Sequence, residues 1–288
     1  MVAHKGHWRR WAVATVLLAS VTGASALDLS LPNRTGSFKF AIIGDFGTGE
    51  RPAYEVAAQM AATRLRFPFD TVVMVGDNII GSGTDPSDVK VKFERPFRPL
   101  LDAGVRFYAA LGNHDLSANR HYLLWNMQGR RYYTFAKQNV RFFVLDSNRL
   151  DRSQLSWFEQ TLRASTDRWR ICILHHPLYS DGVKHGPDLE LRVMLEPLLV
   201  QYGIDVVFSG HDHVYQRLKP QKGVHYFVTG PAGQEPRELR PSDATAAAFD
   251  RDYSFMIIEV TGDELRFQTV SRTGASVDAG VITPRQKS

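Results

Sequence analysis

Phe38-Lys39-Phe40-Ala41-Ile42-Ile43-Gly44-Asp45-Phe46-Gly47 is a short apolar run that stops on a glycine followed by an aspartate. Such a run, bounded by turn residues, reads as a buried strand, and the glycine permits a sharp exit from it. The pattern recurs. Residues 71–75 run into Gly76-Asp77-Asn78, residues 105–111 into Gly112-Asn113-His114-Asp115, residues 169–174 into His175-His176-Pro177, and residues 206–209 into Gly210-His211-Asp212-His213. Amphipathic stretches predict helices over 53–66, 89–101, 117–127, 153–164 and 189–202, and further strands are expected over 132–135, 140–145, 226–229, 255–260, 265–270 and 277–282. This alternation argues for a layered α/β domain, and the helix-poor last third argues for a mixed sheet closing in hairpins. Residues 231–250, rich in Pro, Ala and charge, read as a long surface loop.

Each strand end that carries an Asp, Asn or His has an ordinary explanation when taken alone, as a helix cap, a turn residue or a surface histidine. Five in one context are harder to dismiss. Ligand crevices of α/β sheets lie outside the carboxyl ends of the strands, so these groups are expected to converge. Carboxylate and amide oxygens mixed with imidazole nitrogens suit iron, manganese or zinc rather than calcium. The chain has one cysteine, Cys172, inside an apolar strand run, which excludes an internal disulfide framework and a structural zinc knot and reads as a buried packing residue.

The ordered set Gly44-Asp45-x-Gly47, Gly76-Asp77, Gly112-Asn113-His114-Asp115, His175-His176-Pro177 and Gly210-His211-Asp212-His213 resembles the calcineurin-like metallophosphoesterases, and within them the small, tartrate-resistant type of purple acid phosphatase. The resemblance runs from residue 38 to about residue 217, and Gln154-Leu155-Ser156-Trp157-Phe158-Glu159 and Thr229-Gly230-Pro231-Ala232-Gly233 also resemble family segments. It implies an αββα sandwich of two mixed sheets flanked by helices. It also implies two divalent metal ions (Fe, Mn or Zn) bridged by Asp77, one held by Asp45 and His213 and the other by Asn113, His175 and His211. The implied reaction is hydrolysis of small phosphate monoesters by metal-bound hydroxide, with His114 and His185 on the phosphate side and Asp115 orienting the His114 ring. The motifs are shared with phosphodiesterases and nucleotidases, and a non-catalytic metal- or phosphate-binding relative is the third reading. His176 is expected to play at most a supporting part.

One position departs from the family. The purple enzymes carry Gly-Asp-x-x-Tyr, whose tyrosine binds ferric iron and gives the colour; here the position is Ile80. Other branches carry a histidine two residues after the first aspartate, and here that position is Gly47. Tyr54 and Tyr179 are the candidate substitutes, with ordinary packing as the simpler reading of both. The protein is therefore expected not to be purple.

The 288 residues carry 43% apolar and 11% aromatic side chains, which excludes a disordered or low-complexity chain. The formal charge of +5 suggests nucleic acid until its location is examined. Residues 1–26 combine Lys5, Arg9 and Arg10 with an apolar run over 11–21 and Ala24-Ser25-Ala26, the form of a cleaved export signal, with Arg9-Arg10 resembling a twin-arginine signal. The apolar run is about half of the roughly 20 residues a membrane span needs. Without this segment 32 basic groups face 30 acidic ones, so nucleic acid is not an expected partner. The remainder, 27–288, reads as one metallophosphoesterase domain, monomeric, periplasmic or secreted, and without stable membrane insertion. Lys90, Lys92, Arg95 and Arg98 read as a solvated helix face, and Arg237, Glu238 and Arg240 as candidate rim residues.

Overall fold

The computed structural model describes residues 1–2, 28–81 and 86–286. Apart from its first two positions, the expected export signal lies outside the described residues. Along the chain come β1 (Phe38–Ile43), α1 (Arg51–Arg64), β2 (Thr71–Met74), α2 (Pro86–Val89), α3 (Arg98–Asp102) and β3 (Arg106–Ala109). Next are β4 (Tyr133–Lys137), β5 (Val140–Val144), α4 (Arg152–Ala164), β6 (Trp169–Ile173), α5 (Leu189–Gln201) and β7 (Val206–Ser209). The rest is strand: β8 (Tyr215–Leu218), β9 (His225–Thr229), β10 (Thr245–Phe249), β11 (Ser254–Thr261), β12 (Glu264–Ser271) and β13 (Ser276–Ile282).

These strands make two mixed sheets, in the orders β13-β12-β11-β1-β2-β3 and β10-β8-β9-β7-β6-β5-β4. β1, β2 and β3 are parallel to one another, as are β5, β6, β7 and β9, while β11, β12 and β13 form the expected antiparallel meander. The sheets pack face to face through aromatic side chains. Phe40 of β1 meets Phe142 of β5 edge-on at 5.3 Å, and Phe227 of β9 meets Phe267 of β12 at 5.0 Å. Each such fully buried side chain contributes roughly 1.5–3 kcal/mol relative to exposure. On the outer face of the second sheet, Phe158 and Leu162 of α4 and Leu191, Leu195 and Leu199 of α5 pack on Phe143, Cys172 and Val207. α1 buries Ala53, Val56, Ala57 and Met60. Asp151 and Asp188 start α4 and α5 by accepting the Gln154 and Leu191 N–H groups, each at 2.9 Å. The result is the αββα sandwich with helices on its flanks, and both faces of the central strands are dry.

Three local expectations fail. Residues 117–127 form two short 3-10 turns, Ser117–His121 and Leu123–Trp125, instead of an α-helix. Trp125 and Met127 of that stretch are buried and Tyr122 packs partly against the core, while Leu123 and Leu124 stay exposed, so no continuous helical stripe forms. The expected helix over 89–101 is broken: Lys90–Glu94 winds as a π-turn and α3 restarts later, since Pro96 and Pro99 lack the N–H that a continuous helix needs. Phe93, Phe97 and Leu100 nevertheless face inward as a helical spacing requires. Finally, the stretch 231–250 is not all loop, because β10 pairs with the unforeseen β8 as the sheet edge.

Candidate metal centre

The carboxyl ends of β1, β2 and β3 meet those of β6 and β7 at one place. The loops interlock through the backbone before any side chain is considered. Asp45 N–H donates to Gly76 O at 3.0 Å, Gly47 N–H to Asp77 O at 3.1 Å, and Gly210 N–H to His175 O at 3.0 Å. Asp45, Asp77 and His211 all sit in the left-handed region, with φ of 53°, 53° and 69°. Holding a non-glycine residue there costs on the order of 1–3 kcal/mol, less for Asp than for bulky types, and such conformations gather at functional sites.

The glycines before the ligand positions have a use that spacing alone does not reveal. A Cβ on Gly76 would lie 2.4 Å from His175 Nδ1, one on Gly112 would lie 2.1 Å from Asp77 Oδ1, and one on Gly210 would lie 2.4 Å from Asp45 Oδ2. Each glycine is the space occupied by a candidate ligand from another strand.

At the centre, ligand atoms of Asp45, Asp77 and His175 all lie within 4.8 Å of one another, and those of His175, His176 and His211 do the same. His175 Nε2 is 3.1 Å from Asn113 Oδ1 and 3.5 Å from Asp77 Oδ1. Its Nδ1 lies 3.0 Å from Val75 O; a carbonyl only accepts, so Nδ1 carries a proton and Nε2 is the atom presented to the cluster. His213 Nε2 stands 3.7 Å from Asp45 Oδ1, and its Nδ1 faces Glu235 O at 3.3 Å, although His213 belongs to neither compact trio. Arg237, one of the three rim candidates, reaches the site, its Nε 3.0 Å from His213 Nδ1; Glu238 and Arg240 pair with each other at the surface.

The electrostatics mark a cluster short of positive charge. Burial raises the Asp45 carboxyl well above the usual range; His175 draws it back and Asp77 pushes it further up. Burial also works to raise Asp77, but the hydrogen bond and charge of His175 and the His114 N–H bring it down to about 2. Burial opposes protonation of His175, yet Asp77 and Asp45 lift it to about 9. Among the described residues Arg237 comes no nearer than His213 at the edge of the centre, and a proton on His175 offsets part of the buried negative charge. Two buried carboxylates, an amide oxygen and several imidazoles suit divalent transition metals, and cations there would relieve the desolvated charge. The residues present fit a dinuclear centre.

The remaining candidates divide. The exposed His114 sits at the crevice edge, anchored by its backbone N–H to Asp77 Oδ1 at 2.9 Å. The His185 ring lies 4.2 Å from that of His211, held there by a loop whose N–H groups at 185 and 186 bond the buried Asp212. Asp115 does not meet its expected part. Its carboxylate accepts the N–H groups of Asn78 at 3.1 Å, Ile79 at 2.9 Å and Gly112 at 2.9 Å, plus Asn78 Nδ2 at 2.8 Å. It therefore clamps the exits of β2 and β3 together, and among the described residues no bond joins it to the His114 ring. Burial raises its carboxyl to about 7 despite those donors.

His176 is closer to the centre than expected, its ring 4.4 Å from that of His211. Ser147 Oγ accepts the N–H groups of His175 at 3.2 Å and His176 at 3.1 Å, so its own hydrogen goes to His176 Nδ1 at 2.9 Å. Nδ1 is then an acceptor, and the ring offers an Nε2–H donor. Ser147 and Asn148 follow β5, a sixth strand end without the Gly-Asp or His signature, which is why spacing did not reveal it.

Among the described residues nothing replaces the tyrosine. Tyr54 donates its hydroxyl to Val91 O at 2.8 Å and Tyr179 to Glu196, so both are structural. Ile80 bonds only through its backbone, to Gly47 O at 2.8 Å and to the Lys92 ammonium at 2.6 Å; Lys92 thus ties this loop rather than lying on a solvated face. Position 47 admits no side chain, since a Cβ there would lie 2.3 Å from the backbone of Asn78.

The family model for calcineurin-like phosphoesterases matches residues 38–215, most of the chain and every candidate metal ligand. The chain belongs to the calcineurin-like phosphoesterase family. It is similar to purple acid phosphatase 17 of Arabidopsis thaliana, 28% identical over 236 residues that cover 69% of each chain. It is also similar to tartrate-resistant acid phosphatase type 5 of Mus musculus, 28% identical over 238 residues, covering 68% of this chain and 72% of that one. A dimetal phosphatase from Danio rerio shares the fold, with a TM-score of 0.69 at 15% identity over 86% of this chain and 99% of the other. As a calcineurin-like phosphoesterase the protein is a metal-dependent hydrolase with a dinuclear metal-binding cluster, distantly related to the purple acid phosphatases and without a tyrosine in that cluster.

Proposed function

We propose that this calcineurin-like phosphoesterase is an exported phosphatase acting on small phosphate monoesters. The observation that carries the reading is the convergence of buried Asp45, Asp77 and His175, with ligand atoms within 4.8 Å, at the centre of a crevice whose open edge carries His114 and His185. Asp77 would be shared between two sets of ligands. Asp45 and His213 would hold one ion, and Asn113, His175 and His211 the other. Bound there, the ions supply Lewis acidity toward a phosphoryl group and make water more acidic. The chain's own residues do the rest. His114 and His185 border the crevice where a phosphate would project, and either can hydrogen-bond it or pass a proton to the departing ester oxygen. His176 Nε2–H adds a neutral donor beside them. Export is supported by the basic, apolar and small-residue succession of residues 1–26.

Monoester preference is tested by comparing an aryl phosphate with its bis-aryl ester on manganese-loaded protein. The monoester should be favoured by at least about tenfold in kcat/KM, a difference of about 1.4 kcal/mol. Preference for the diester would reassign the chain to the phosphodiesterase branch. Activity with neither, on protein that retains metal, would favour a binding role. With Ile80 in place of the tyrosine, iron-loaded protein should show no intense visible band.

A further inference from the structure

A trough leaves the metal centre from Asn113 and His176 and continues between the loops after β3 and β5. Its first part, 690 Å³, is lined by Asn113, His176, Asn148, Arg131 and Arg149; the adjoining part, 650 Å³, shares Arg131 and Arg149 and adds Arg120 and Arg130. The carboxylates along it are already committed. Asp146 and Asp151 both bond Arg131, at 2.6 and 2.9 Å, Asp188 caps α5, and Asp115 accepts four N–H groups. Arg131 is thereby paired, whereas among the described residues Arg120, Arg130 and Arg149 have no carboxylate to themselves. Arg149 has its side chain 77% exposed and only a 3.6 Å approach to the already shared Asp151. Arg120 bonds neutral oxygens alone, Gly129 O at 3.0 Å and Ser117. Arg130 is exposed and has no ion pair among the described residues. Planar, permanently charged forks with free donors, at the far end of a groove that begins at a phosphate-handling centre, suit a second phosphate.

We propose that this trough, through Arg130 and Arg149 with Arg120 behind them, binds a second phosphate on the substrate, so that the preferred substrates are small bis-phosphorylated molecules. The proposal rests on the phosphatase reading above. In the reaction a water oxygen bonds to one phosphorus, the ester P–O bond at that phosphorus breaks, and the proton lost by water is balanced by one taken up by the departing oxygen. The second phosphate stays on the product, held by the arginines.

Fructose 1,6-bisphosphate and fructose 1-phosphate form a matched pair differing in the second phosphate. On manganese-loaded protein the bisphosphate should be favoured at least about tenfold in kcat/KM, since hydrogen bonds between charged groups are among the stronger polar contacts. In the Arg130→Gln/Arg149→Gln double variant, whose changes fall on exposed side chains, that ratio should fall toward one. A wild-type ratio near one, or an unchanged ratio in the variant, overturns the trough while leaving the phosphatase reading intact. Hydrolysis of neither sugar nor any aryl phosphate would count against the phosphatase reading instead. Calorimetric binding of the same two sugars then decides the trough separately: tighter binding of the bisphosphate, weakened about tenfold in the double variant, supports it, and equal binding overturns it.

Discussion

Asp77→Asn is expected to lower kcat/KM by roughly a thousandfold, about 4 kcal/mol of transition-state stabilisation, and to reduce bound metal below two ions per chain. The substitution keeps the shape of the side chain, and the amide oxygen can still accept the His114 N–H that Asp77 Oδ1 accepts at 2.9 Å. What it removes is charge. Asp77 is one of two buried carboxylates at the centre and the one adjoining His175, whose Nε2 is 3.5 Å away. An unaltered melting temperature with lost metal and activity would separate this electrostatic role from a structural one. Normal turnover and two bound ions in the variant would remove Asp77 from the site.

Gly112→Ala should be nearly as damaging although Gly112 supplies no ligand atom. The new methyl would lie 2.1 Å from Asp77 Oδ1 and 2.3 Å from Asp77 N. A flexible side-chain tip could yield; the Asp77 backbone cannot, because Gly47 N–H is bonded to Asp77 O at 3.1 Å and Asp115 bonds the next two N–H groups. The exits of β2 and β3 must therefore separate, displacing Asp77. Overpacking of this kind costs about 1–3 kcal/mol, so the melting temperature should fall by several degrees. Activity should fall by roughly a hundredfold, the upper end seen when residues supporting a metal site are disturbed. Retained activity with a normal melting temperature would show that the two loops are not locked together as described.

The sheets were legible because dry central strands read as short apolar runs, and eleven such runs correspond to strands of the fold. β8 was not, since its Tyr215-Gln216-Arg217-Leu218 buries a glutamine through hydrogen bonds to Asp181 and Thr245 rather than through apolar character. The turns over 117–127 misled for the opposite reason: Leu123 and Leu124 look like a helical face but are exposed. At the centre, the strand-end pattern picked out the residues that converge. It did not reveal Asp115 as a clamp, because a carboxylate that bonds backbone amides from two other loops has no signature in its own neighbourhood. The trough arginines were equally silent. Arg120, Arg130, Arg131 and Arg149 belong to two loops that only the packing of both sheets brings together.

These strand ends are built to hold a catalytic pair of metal ions. The most direct test of this is metal analysis with activity on an aryl phosphate, after chelation and separate return of iron, manganese and zinc. Activity should be lost on stripping and recovered with at least one metal at close to two ions per chain. Activity that survives complete stripping, or recovery saturating without metal uptake, would contradict it.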